Sequence, residues 1–141
     1  MKRMMLTTLV LFWAALSLLA QEGLHVAPFY DGRFNKAKDV VSLNVKGSAL
    51  KPYRLTLYRS LIFERDMPDV ERAVLLDGKQ AIDREVAHRD GRLLYGFYCL
   101  PQTSKKAPLR YLFYRHTTGK TILVYLEGAA TLEEIKRMFK K

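Results

Sequence analysis

The sequence predicts an α+β domain in which two helices pack on an antiparallel sheet of about five to six strands. Three observations support this fold class. Apolar and polar residues alternate with the period of a strand, as in VVSLNVKG at residues 40–47. Later strand-like segments come in pairs that are joined by short turn sequences. The two segments with helix signals lie outside these pairs, which is typical of helices that flank an antiparallel sheet.

Two segments in the first half of the chain have less regular patterns. Residues 24–34 (LHVAPFYDGRF) predict a short helical or irregular segment that packs its aromatic rings inward. Residues 55–64 (LTLYRSLIFE) fit two structures, because apolar residues at alternate positions suit a strand, whereas the spacing of Leu55, Tyr58 and Leu61 suits a helix. The β-branched and aromatic content favours the strand.

Start signals place the first helix after residue 66. Asp66 can cap its first turn, Pro68 suits that turn, and Asp69 and Glu71 lie where the helix dipole favours negative charge. Gly78 is expected to end the helix. The last helix is predicted for TLEEIKRMFKK, because Thr131 and Glu134 have capping-box spacing. Its apolar stripe consists of Leu132, Ile135 and either Met138 or Phe139, of which Phe139 is expected to dock on the sheet.

Between these helices the sequence predicts two hairpins. IDREVAHR and RLLYGFYCL are separated by Asp90-Gly91, a dipeptide that suits a type I′ turn, and LRYLFYRH and TILVYLE join around Thr118-Gly119. The alternation of RLLYGFYCL places Leu93, Tyr95 and Phe97 on one apolar face with Cys99. Cys99 is the single cysteine, so we expect a buried thiol and no internal disulfide. Gly96 is expected to let a neighbouring ring approach closely.

Residues 1–20 have the three-part layout of a secretory signal peptide. Lys2 and Arg3 precede an apolar stretch from Leu6 to Ala20, and polar residues follow. The alternative is a membrane anchor, which needs about 20 apolar residues, more than this stretch contains. The sequence therefore predicts cleavage, a single domain over residues 21–141, no transmembrane segment after cleavage, and a periplasmic or cell-surface location in a Gram-negative bacterium.

The positive charge does not indicate nucleic acid as a partner. The net charge is +10, or +8 without residues 1–20, and the basic residues are scattered. RLLYGFYCL contains the Tyr-Gly-Phe of an RNP1 strand, but Leu93 and Leu94 hold the positions of its basic residue and glycine. The HRD at 88–90 lacks the asparagine of a kinase loop, and the GKT at 119–121 lacks the first glycine of a P-loop.

No catalytic, metal-binding or cofactor-binding residue is predicted. His25, His88 and His116 have no metal-ligand spacing. Asp83 and Glu85 share a strand face, where arginines at 84, 89 and 92 can form ion pairs with them. We therefore expect a non-catalytic binding or structural module. The alternative is a small hydrolase whose site is assembled from dispersed residues.

Candidate contact residues lie in the short basic segment KRMFKK at the end of the sequence. Lys136, Arg137, Lys140 and Lys141 are predicted to contact an anionic partner, either an envelope polymer or a protein.

The whole mature chain resembles a family of small exported proteins of Bacteroidetes-type bacteria. The resemblance depends on a signal that ends in Ala-Gln, on FYDGRF, LKPYRLTLYRSL and LLDGKQA, and on the aromatic strands that follow. It implies an exported location and a single small domain. Because that family has no assigned function, the resemblance implies no catalytic residues.

Export can be tested by mass spectrometry of the protein made in a Gram-negative host. We expect residues 1–20 to be removed, so that Gln21 becomes the new N-terminus, because the charged, apolar and small-residue regions match what signal peptidase requires. An intact chain that stays in the cytosol would contradict this prediction.

Overall fold

The structure is a computed structural model, and it describes residues 23–34 and 36–139. Six β-strands and two α-helices make up most of these residues. The α-helices are α1 (Pro68–Gly78) and α2 (Leu132–Phe139), and two short 3₁₀ helices span Ala27–Tyr30 and Ser48–Tyr53. The strands are β1 (Val40–Lys46), β2 (Leu55–Phe63), β3 (Asp83–Arg89), β4 (Arg92–Leu100), β5 (Leu109–Thr117) and β6 (Lys120–Gly128).

All six strands belong to one antiparallel sheet with the order β1-β2-β6-β5-β4-β3. This confirms the predicted α+β fold class with two helices. Residues 55–63 are a strand, as their side-chain content indicates, because they pair with β1 on one side and β6 on the other. Both predicted hairpins are present. Asp90 and Gly91 have φ angles of 52° and 78°, as a type I′ turn requires, and Gly119 has φ 74°.

A β-bulge in β4 corrects the predicted face of one side chain. Ala87 pairs with Tyr95 but His88 pairs with Leu93, so Leu94 is an extra residue in the strand. An extra residue reverses the alternation. Leu93 therefore joins the core on one face of the sheet, whereas Tyr95 packs on the other.

The start of α1 corrects the predicted capping residue. The helix begins at Pro68, its N-cap is Met67, and no side chain caps it. Asp66 lies one residue before the N-cap, and its carboxylate accepts a hydrogen bond from the Arg92 guanidinium at 3.0 Å. The arginine offers this carboxylate two donors in a fork geometry, which accounts for its orientation away from the helix.

Each face of the sheet has its own hydrophobic core. On the α1 face, helix α1 and the N-terminal segment cover side chains that include Phe63, Leu112 and Tyr125. The buried carboxylate of Asp77, at the end of α1, fixes that segment. It accepts hydrogen bonds from the backbone N–H groups of His25 at 2.7 Å and Val26 at 3.0 Å.

On the α2 face, helix α2 and the second 3₁₀ helix cover the core. Cys99 is 7% exposed there, as predicted, and burial raises the pKa of its thiol. The sequence predicts that a neighbouring ring approaches Gly96 closely. In the structure this ring is that of Tyr98, and it lies on the α1 face. A Cβ atom at Gly96 or at Gly78 would collide with opposite edges of this ring, so the two glycines form a slot for it.

Helix α2 has the predicted cap and apolar stripe. The Glu134 N–H donates to Thr131 Oγ1 and the Thr131 N–H donates to Glu134 Oε1, both at 3.2 Å. The bond from the Thr131 backbone lowers the pKa of Glu134. Ile135 is fully buried, and the Phe139 ring packs on Phe113 with 4.5 Å between ring centroids.

Replacing Phe139 by alanine should destabilise the domain by about 1.5–3 kcal/mol, because the ring packs on Phe113 and Phe97. Thermal unfolding followed by circular dichroism should show a melting temperature that is lower by several degrees. Glu133→Ala, on the exposed side of the same helix, is the matched control and should have a much smaller effect. A thermally neutral Phe139→Ala variant would show that α2 is not docked in solution.

Candidate functional site

Helix α2 covers only part of its face of the sheet, which leaves an open groove on one side of it. This apolar groove has a volume of about 670 Å³. Its walls come from β1, β2, the second 3₁₀ helix and α2. The lining residues are Val45, Leu50, Tyr53, Leu55, Tyr58, Arg137 and Met138.

Strand pairing and one unusual backbone conformation position the walls of the apolar groove. Val45 and Tyr58 are paired across β1 and β2 and therefore point to the same face. Arg54 follows the 3₁₀ helix with a positive φ of 58°. Its carbonyl accepts hydrogen bonds from the N–H groups of Ala129 and Ala130, and its guanidinium bonds to Glu134 at 2.6 Å. These bonds hold the 3₁₀ helix against the start of α2, so the groove has fixed sides.

The predicted contact residues have different surroundings in the structure. Arg137 lines the apolar groove and is exposed. Lys136 points to the other side of α2, where its ammonium group lies 3.1 Å from Glu85 and 3.7 Å from Glu133. Its side chain is only 17% exposed, and the bond to Glu85 raises its pKa. Lys140 and Lys141 lie outside the described residues.

A second groove on the same face lies on the Lys136 side of α2. This aromatic groove has a volume of about 420 Å³, and four of its eight lining residues are aromatic. Phe97 is buried, as predicted from its alternation with Cys99, and Phe113 is buried beside it, whereas Tyr95 is half-buried. The lining residues are Glu85, Leu94, Tyr95, Phe97, Phe113, Arg115, Thr117 and Phe139.

Charged side chains meet at the end of the sheet that holds the two hairpin turns. Arg92 donates to Glu71 at 2.7 Å and to Asp66 at 3.0 Å. Asp66 also lies 3.1 Å from Nε2 of His116. The hydrogen bond from Arg92 lowers the pKa of Asp66, and the two carboxylates raise the pKa of Arg92. The sequence analysis missed this cluster, since its members come from four separate elements and no local spacing connects them.

Beside this cluster lies a polar pocket of about 350 Å³, which is lined by Arg89, Asp90, Arg92, Leu93, Leu94, His116, Thr117 and Thr118. Its chemistry does not form a catalytic set. Within the described part of the chain, the His116 ring pairs with Asp66, and no hydrogen bond joins it to a hydroxyl or thiol that could act as a nucleophile. The Arg92 guanidinium is occupied by two carboxylates.

Asp83 and Glu85 do not form the expected ion pairs with arginines. Glu85 pairs with Lys136, and Arg92 pairs instead with Asp66 and Glu71. Among residues 23–34 and 36–139, no group of three or more potential ligands could hold a metal ion. The same residues include no helix that is long and apolar enough to cross a membrane.

Fold and grooves together define a small α+β domain with one antiparallel sheet, a core on each face and open apolar surface beside α2. The chain belongs to a family of unknown function, DUF6108, whose model matches residues 13–139. It matches no curated protein at a significant level. The resemblance noted in the sequence is confirmed as far as membership of an uncharacterised family goes, whereas export and the bacterial group remain predictions.

The charged cluster should make stability depend on pH. Because Arg92 lowers the pKa of Asp66 below its usual 3.8, the pair contributes fully above about pH 5 and loses its contribution as the pH falls through the lowered value. We therefore expect Arg92→Gln to lower the melting temperature by a few degrees at neutral pH, and the difference from wild type to shrink in acid. Arg89→Gln is the neighbouring control and should change little. A difference that stays constant down to strongly acidic pH would contradict this assignment.

Proposed function

We propose that the protein is an exported, non-catalytic binding module of the periplasm or cell surface of a Gram-negative bacterium. Its partner places an apolar group in the apolar groove. An anionic group of the same partner pairs with Arg137 and with Lys140 and Lys141, which follow in sequence.

The apolar groove is the observation that carries this proposal. Its volume of about 670 Å³ lies in the range of about 300–1,000 Å³ that is usual for ligand pockets. Aliphatic and aromatic side chains line it, and Arg137 is the one charged residue of the lining. An apolar surface with a cation at its rim favours a partner in which an apolar group lies next to an anion.

The overall charge supports an anionic partner. A domain with a net charge of +8 attracts anions over several ångströms, and this attraction weakens as salt is added. The hydrolase alternative would use the polar pocket, where Arg92 and His116 are already paired with the Asp66 carboxylate. Binding in the apolar groove therefore accounts for more of the structure than catalysis in the polar pocket.

The proposal can be tested with 1-anilinonaphthalene-8-sulfonate, an aromatic sulfonate whose fluorescence rises in apolar sites. Arg137→Gln should weaken its binding by about two- to fivefold, the usual worth of an exposed ion pair, and should reduce the salt dependence. Tyr53→Glu should weaken binding more, because it places a negative charge beside the sulfonate while changing an exposed residue.

Val86→Glu is the control for the second variant, since Val86 is exposed on the distant strand β3. It should bind the probe as wild type does. Circular dichroism should show that all three variants are folded. If the wild-type protein does not bind the probe, or if both groove variants bind as well as wild type, the groove is not the site.

A further inference from the structure

Strand β1 lies at one edge of the sheet and has apolar side chains in solvent. Its single neighbour in the described sheet is β2. Val41 is 58% exposed and Leu43 is 50% exposed. An edge strand directs part of its backbone N–H and C=O groups outward, and proteins usually protect such an edge with charged side chains, proline or a bulge. Strand β1 contains no proline, and its register with β2 is continuous.

Strand β1 has a single charged residue, Lys46 at its end, whereas the opposite edge, β3, is protected along its length. Its sequence DREVAHR contains acidic and basic residues. A bulge interrupts its register, and Glu85 is paired with Lys136 of α2. Among the described residues, β1 is therefore the less protected of the two edges.

The two faces of β1 differ in chemistry. Val41, Leu43 and Val45 point to the α2 face, where Val45 is part of the apolar groove. The alternate residues, among them Asn44 and Lys46, point to the α1 face. Exposed lysines also precede the strand at positions 36 and 38, and within the described residues neither they nor Lys46 forms an ion pair.

We propose that β1 binds an extended peptide segment, in which apolar and acidic residues alternate, as an additional antiparallel strand. This inference rests on the proposed function and names the class of its partner. Backbone hydrogen bonds to β1 would provide affinity, as in other cases of strand addition. The apolar side chains of the segment lie beside Val41 and Leu43 and continue the apolar surface of the groove outward beyond β1, and its acidic side chains lie on the face of Lys46.

Charge favours such a segment over a second copy of this chain. Self-pairing of two β1 strands would bring together two sets of lysines from positions 36, 38 and 46, on domains that each have a net charge of +8. Like charges across a strand pair are destabilising. An acidic segment instead neutralises these lysines.

The experiment uses protein made from the full-length gene and a fluorescent peptide of seven residues, the length of β1, in which valine and glutamate alternate. Fluorescence anisotropy measures binding, and amide hydrogen exchange measures protection of residues 40–46. We expect binding that protects these amides. We expect no binding of a lysine-for-glutamate peptide, or of a peptide N-methylated at alternate residues, which lacks strand donors.

Two variants and one control locate the site on β1. Val41→Thr combined with Leu43→Thr keeps the strand propensity but removes apolar contact, and it should weaken binding by about tenfold. Lys38→Gln combined with Lys46→Gln should weaken binding and reduce its salt dependence. Val86→Thr, on the other edge strand, should bind as wild type does.

Other outcomes would overturn the inference. If the peptide binds without protecting residues 40–46, it occupies a groove and does not pair with β1. If these amides become protected when the concentration of the free protein is raised without peptide, the strand that pairs with β1 belongs to a second copy of this chain. If the peptide fails to bind while the aromatic sulfonate still binds, strand addition is wrong and the proposed function stands. If neither binds, both proposals fail.

Discussion

The structure depends on the apolar character of β5 and β6 on both of their faces. In β5, Leu112 and Tyr114 belong to the α1 face, whereas Tyr111 and Phe113 belong to the α2 face. Strand β6 follows the same pattern. An antiparallel sheet often leaves one face in water, but this sheet cannot do so without exposing a second core. Other segments of the chain therefore have to pack on both faces of the sheet.

The two faces of the sheet are covered to different extents, and the candidate site lies on the face that is covered less. The α1 face receives an 11-residue helix and an N-terminal segment that the buried Asp77 carboxylate holds in place. The α2 face receives a helix of eight residues, which is only about 12 Å long at 1.5 Å per residue. Grooves remain on both sides of that helix. The apolar surface on this face stays open because helix α2 is short relative to the width of the sheet.

Local signals in the sequence were sufficient for most of the fold. The Asp90-Gly91 turn, the Thr131–Glu134 capping box and the alternation in β1 each involve neighbouring residues, so each could be predicted from spacing alone. The bulge at Leu94 could not, because an extra residue in a strand shows only in the register with its partner. The predicted capping role of Asp66 was wrong for a similar reason, since its partner Arg92 is distant in sequence.

The candidate site was less accessible to sequence analysis than the fold. Arg137 was predicted as a contact residue from the charge of the C-terminal segment, but the apolar lining of its groove comes from β1, β2 and the second 3₁₀ helix. Lys136 was grouped with Arg137, yet adjacent helix positions point about 100° apart, and only Arg137 lines the apolar groove. Glu85, which forms an ion pair with Lys136, lies 51 positions earlier in the chain.

The position of β6 in the sheet has a consequence for how the chain folds while it is being synthesised. This strand is the last in sequence but lies between β2 and β5, and Leu123 pairs with Leu61. Until residues 120–128 have emerged, β2 and β5 each have an open edge and the sheet exists as two separate parts. Because synthesis proceeds from the N-terminus, the complete sheet can form only after this last strand has emerged. The topology itself delays formation of the whole sheet, and until then the edges of β2 and β5 that β6 will cover are the surfaces at risk of wrong pairing.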